Sequence, residues 1–157
     1  MSLLNSATPT ATPTPTATPL PPNILIRDGI VVTFTPAPFA FTLSQDGVQY
    51  SANTNSFGCA WSSVNGRVLA FRDEPLDGIR VNLTGGGIDE TVFTGTGENA
   101  AGEFQIFLTD TPQQAPYTLQ LFNAAGTAPL SEPLLVVTSQ VCDQNIVSVT
   151  FVQNHEF

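Results

Sequence analysis

From Asn23 onward, apolar and polar residues alternate in short runs, and that period of two predicts strands. "NILIRDGIVVTF" reads as a strand, an Asp28-Gly29 turn and a second strand, since Asp-Gly between apolar runs signals a hairpin. "FAFTLSQDGVQYS" repeats the pattern around Asp46-Gly47, with Phe39, Phe41 and Leu43 alternating with Ala40 and Thr42. "NTNSFGCAW" then reads as a polar turn leading into Cys59 and Trp61. Seven further strands are predicted, over residues 66–71, 78–84, 90–96, 102–108, 117–122, 132–140 and 145–153. Ile79, Val81 and Leu83 share one face of the second of these, and Phe104, Ile106 and Leu108 one face of the fourth. Gly, Pro, Asn and Asp clusters separate the runs at the spacing of an all-β sandwich or barrel. No segment sustains a 3.6-residue period, so the predicted class is all-β, an antiparallel sandwich of seven or more strands.

Before this pattern lies "SATPTATPTPTATPLPP", residues 6–22, which has almost no large apolar side chain. Proline fixes its own φ and restricts the residue before it, so the stretch favours extended polyproline II. Such a segment spaces what it joins, reaching about 50 Å at ~3.1 Å per residue. Its threonines are of the kind that carry O-linked sugars. The expected organisation is a Thr/Pro-rich linker or stalk over residues 1–22 and a β-sandwich domain over 23–157. Within that domain, 23–58 are expected to supply hairpin segments that add strands to an edge or cover one, and 59–157 the core. Met1-Ser2-Leu3-Leu4 lacks a basic n-region and is too short for a signal peptide. The expectation is therefore a piece of a larger chain, with Met1–Leu3 a vector remnant.

Charge narrows the range of partners. Charged residues make up 11% of the 157, the net charge is −9, and the basic residues are Arg27, Arg67, Arg72 and Arg80, with no lysine. Nucleic-acid binding needs clustered positive charge, and so does binding to an anionic membrane surface; this chain repels both. No stretch is long and apolar enough to span a membrane. Low charge with abundant Thr, Gly, Pro, Asn and Gln suits a secreted or cell-surface β-protein. In that setting Cys59 and Cys142 form one disulfide, the alternative being two buried free thiols. Closing a loop of about 84 residues restricts the unfolded chain by ~4.5 kcal/mol in the chain-entropy treatment.

The residues of catalysis do not assemble. The only histidine is His155, three residues from the end of a 157-residue chain, where a frayed terminus explains it. Nucleophilic catalysis needs a base, and zinc needs three or four ligands. Asp73, Glu74 and Asp77 crowd one turn, and Asp89 and Glu90 another. A glycosidase would need two such acids across an aromatic-lined cleft, which acids in short turns do not provide. Asp73, Asp77, Asp89 and Glu90 are also candidate calcium ligands, although no EF-hand-type loop is present and solvated turns account for them more simply. "TGGGIDE" lacks the helix and lysine of a phosphate loop and reads as a flexible hairpin tip able to carry binding. Trp61, Tyr50 and Tyr117 are candidates for a sugar-stacking platform; the simpler reading packs Trp61 against the disulfide in the core. Asn82-Leu83-Thr84 matches a glycosylation sequon, which matters only on a eukaryotic secretory route.

"VNGRVLAFRDEPLDGIRVNLTG" followed by "GTGENAAGEFQIFL" resembles the carboxypeptidase-regulatory-like and Cna-B-type modules of secreted bacterial surface proteins, which share a transthyretin-like, Greek-key sandwich. Gly66, Val68, Pro75, Leu76, Gly78, Val81, Leu83, Gly102 and Phe104 occupy the matching positions, within a stretch from about Val64 to Leu121. The resemblance implies a fold and no reaction. Some Cna-B-like modules form an isopeptide bond from a lysine; without lysine this chain cannot, and the two-cysteine staple is expected in its place.

The function expected from sequence is a non-catalytic structural or spacer module of a larger secreted or cell-surface protein, with no cofactor. The alternative is an adhesion module recognising glycan or a surface protein through turn loops at Asp73, Asp77, Gly86 and Asp89.

Overall fold

A computed structural model describes residues 24–27, 30–33 and 37–157. The chain divides into two compact units, Met1–Pro36 and Ala37–Phe157. In the first unit, β1 (Ile24–Arg27) pairs antiparallel with β2 (Ile30–Thr33), in a register matching Arg27 to Ile30. The two predicted strands of "NILIRDGIVVTF" are therefore present; the Asp28-Gly29 turn and the Thr/Pro-rich stretch lie outside the described residues.

The second unit has β3 (Phe41–Leu43), β4 (Gln49–Ser51), β5 (Ser62–Leu69), β6 (Arg80–Gly85), β7 (Ile88–Phe93), β8 (Glu103–Thr109), β9 (Pro116–Phe122), β10 (Leu134–Val137) and β11 (Ile146–Gln153). Two short 3-10 turns are the only helical elements among the described residues, so the fold is all-β. One sheet is antiparallel throughout, in the order β10-β9-β6-β7. The other runs β8-β5-β11, with β3 and β4 both paired to the far side of β11.

The inward positions of both sheets meet in one hydrophobic cluster. Val64 and Val68 of β5, Val81 and Leu83 of β6, Phe104 and Ile106 of β8, Leu119 and Leu121 of β9, Val136 of β10 and Phe151 of β11 are buried within it. Alternation selects them, because residues two apart share a strand face. Gly66 interrupts the inward row of β5 for a reason: a Cβ there would lie 2.2 Å from the Phe104 ring, which occupies the space. Gly102 has φ +72°, and a Cβ would come within 2.8 Å of the Val68 carbonyl oxygen, so the entry to β8 tolerates glycine alone.

Three sequence expectations need correction. The Asp46-Gly47 segment makes no hairpin. β3 and β4 run in the same direction and both pair antiparallel with β11, forming one edge strand interrupted by residues 44–48. The five interrupting residues face only Val149 and Thr150, so the surplus chain loops out. The second correction concerns β5 and β11, which pair in parallel from Ile146↔Ser63 to Val152↔Leu69, so the fold is not wholly antiparallel. Finally, β5 starts four residues before the predicted Gly66, at Ser62, because its polar first half is paired on both sides.

Cys59 and Cys142 are disulfide-bonded, with Cα atoms 5.2 Å apart. Their separation of 83 residues equals the offset of the parallel pair, 146 − 63 = 83. The bond thus extends the β5–β11 register beyond the start of both strands, at a spacing close to that of neighbouring strands.

Candidate functional site

The segment between β4 and β5 is fastened from beneath by Asn145, itself buried at the start of β11. Its side-chain amide donates to the carbonyls of Gly58 (3.0 Å) and Trp61 (2.7 Å) and accepts from the backbone N–H of Asn53 (2.6 Å). Within the loop, Asn53 donates to the Gly58 carbonyl (3.0 Å), and the Asn55 side chain accepts from the Phe57 N–H (2.9 Å). With the disulfide at Cys59, these bonds hold a loop that sequence alone reads as a plain polar turn.

What the loop presents is aromatic. Phe57 stacks on Trp61, with centroids 5.4 Å apart and planes at 22°. Trp61 in turn meets Phe107 of β8 at 4.6 Å and 51°. Phe57 is 60% exposed and Phe107 47%. The expectation that Trp61 packs in the core is overturned: it is half-buried and outside the core cluster. The reason is parity. Trp61 precedes Ser63, Asn65 and Arg67 on the outward side of β5, whereas Val64 and Val68 face in. Ser63 and Ile146, paired across β5 and β11, are buried although they lie on that outward side.

Beyond the aromatics the outer face of this sheet is polar. Asn65 accepts from the Ser63 hydroxyl (2.8 Å) and from the Gln105 amide (3.1 Å). One step further, Arg67 and Glu103 form an exposed ion pair. With Ser148 and Thr150 of β11, and Glu98 and Asn99 from the turn before β8, they border a shallow trough of about 360 Å³ that the Gly66 backbone also lines.

The residues singled out from sequence do not gather. Asp73 lies at the tip of the β5–β6 turn, beside Arg72, both with positive φ (61° and 64°). Asp77 braces the chain near β8, its carboxylate accepting from the Gly102 N–H at 2.6 Å. Asp89 accepts from the Asn82 amide at 3.2 Å, and Glu90, next along β7, faces the opposite way. Gly86 does not form a free tip, since a Cβ there would come within 2.9 Å of the Tyr117 ring. β6 separates the Asp73–Asp77 turn from the Gly86–Asp89 hairpin by roughly 20 Å, so the two loops are not one surface. Among the described residues, no group of three or more His, Cys, Asp or Glu is placed to hold a metal ion.

Nor does the candidate platform of Trp61, Tyr50 and Tyr117 form. Tyr117 is buried, and Tyr50 donates its hydroxyl to the Val137 carbonyl at 2.8 Å, bridging the edges of the two sheets. His155, near the chain end, has its ring nitrogens within hydrogen-bond distance of the Glu156 and Ala37 carbonyls. Phe107 was detectable: it occupies an outward position of "GEFQIFL" where a polar residue belongs. Phe57 and Asn145 carry no such signal.

Compared with known proteins, the chain matches no family model, and no curated protein is similar to it at a significant level.

Proposed function

We propose that the chain is a non-catalytic module of an extracellular protein, a β-sandwich on a Thr/Pro-rich stalk that binds through the aromatic surface at Trp61. The observation that carries this is the pair of exposed rings, Phe57 and Phe107, held against Trp61 by an immobilised loop. A spacer needs only a stable body. Clustered aromatics kept in water by a disulfide and a buried amide are better explained as an interaction site. The spacer role is compatible with this and describes the rest of the body. The disulfide is compatible with an extracellular location, and among the described residues no helix is long and apolar enough to cross a membrane. The glycines at 66 and 102, each filling a place with no room for a Cβ, fit the resemblance to the carboxypeptidase-regulatory-like and Cna-B-type modules. Support for a non-catalytic reading comes from His155, whose ring nitrogens are engaged with the Glu156 and Ala37 backbone carbonyls rather than with a nucleophile or an acid.

The test is adhesion of the full chain to immobilised polysaccharides and extracellular proteins, followed by surface plasmon resonance. Saturable binding to at least one class is expected, weakened at least about tenfold in Trp61→Ala, as for a central aromatic anchor. If neither protein adheres to any surface, the module is a spacer alone.

A further inference from the structure

We infer that the outer face of the five-stranded sheet is a binding trough for a neutral, linear glycan, with its first sugar ring on the Trp61–Phe107 aromatics. This rests on the reading of the aromatic surface as a binding face and names its ligand class.

Three features along one sheet face point to that chemistry. The first is the aromatic end, where rings present apolar area to solvent without a partner. A pyranose has an apolar C–H face that lies against such rings, while its hydroxyls remain free at the rim. The second is the sequence of groups beyond the aromatics. Along β8 the outward residues are Phe107, Gln105 and Glu103; Gln105 and Glu103 lie opposite Asn65 and Arg67 of β5, with Ser148 and Thr150 of β11 alongside, while Ser63, opposite Phe107, is buried and offers nothing to a ligand. Amides and hydroxyls both donate and accept, which suits a ligand whose every hydroxyl does the same. From Phe107 to Glu103 the strand extends about 13 Å, the length of a short oligosaccharide rather than of one sugar.

The third feature is charge. Of the trough's charged side chains, Arg67 and Glu103 neutralise each other, and Glu98 adds a negative charge at its border, so no cationic group is left to hold an anionic ligand. The chain as a whole carries −9, which opposes an anionic polymer. A protein partner docking by apolar burial would find the aromatics but then a floor of amides and hydroxyls, whose desolvation it could not repay. A neutral polyhydroxylated chain satisfies both halves of the face. The loop is already braced by Asn145, Asn53 and the disulfide, so little ordering remains to be done on binding.

Trp61 is the single tryptophan of the chain, so its emission reports this site alone. The full chain is titrated with cellohexaose, xylohexaose and maltohexaose, and with dextran sulfate as the anionic comparison. A saturable change in Trp61 emission is expected with at least one hexasaccharide, unaltered by added salt, because a neutral ligand is not screened. Phe107→Ala should weaken it about tenfold. Gln105→Ala, which removes an exposed rim amide, should weaken it about fivefold. Both positions are exposed, so a loss with an unchanged thermal midpoint is a loss of contact. No saturable response to any hexasaccharide, a response untouched by Phe107→Ala, or a preference for dextran sulfate overturns the inference. If the hexasaccharides fail while Trp61-dependent adhesion to a protein surface persists, the ligand class is wrong and the binding face stands. If both fail, both readings fall together.

Discussion

Asn145 shows how much one buried polar side chain can organise. A carboxamide offers donors and an acceptor in one plane, and here they reach three points of a loop more than eighty residues away in sequence. Loops without regular structure have backbone groups that must be satisfied somewhere, and Asn145 satisfies those of Asn53, Gly58 and Trp61. Asn145→Ala would leave the Trp61 carbonyl and the Asn53 N–H without partners, while the Gly58 carbonyl keeps its bond from the Asn53 side chain. The expected cost is about 3 kcal/mol of global stability, measured by urea unfolding. The same substitution should loosen the aromatic cluster, read as a red shift of Trp61 emission in the folded protein. An unchanged midpoint and unchanged emission would mean that the loop is held by the disulfide alone.

Among the strands, the parallel β5–β11 pair governs the layout. Parallel neighbours cannot be joined by a tight turn, so the chain builds the whole four-stranded sheet between them. The Cys59–Cys142 bond sits at the shared start of both strands with the same 83-residue offset. It therefore fixes register as well as closing a long loop. Replacing both cysteines by alanine should cost about 2–4 kcal/mol, measured as the difference in thermal unfolding from the oxidised protein. A difference near zero would mean that the strand ladder holds the register unaided.

Alternation made most of these strands readable: β6, β8, β9 and β11 are predicted to within two residues at each end, because each has one buried and one exposed face. Asp46-Gly47 misleads because the local signal for a tight turn is the same whether the chain folds back or only bulges; the partner strand, β11, is a hundred residues away. Pairing direction leaves no trace in a period of two. The site was legible only in part. Trp61 and Phe107 were visible as aromatics, but their meeting depends on the β5–β8 register, and Phe57 joins them through a loop whose anchor is remote in sequence.

For the molecule as a whole, the described unit keeps its acids dispersed and brings three aromatics, Phe57, Trp61 and Phe107, together on one face. Asp77 braces a turn, Asp89 caps an amide, and Glu103 pairs with Arg67, so the negative charge is spread over the surface. Dispersed charge keeps a protein soluble without defining a site. The clustered aromatics are the surface we propose as one. The most direct measurement is adhesion of the full chain beside the double variant Phe57→Ala/Phe107→Ala, each read by surface plasmon resonance on the same polysaccharide and protein surfaces. Both side chains are exposed, so the variant should unfold at the same temperature as the parent while losing its adhesion. Equal adhesion by the two proteins, with equal thermal stability, would contradict the account and move the function away from this face.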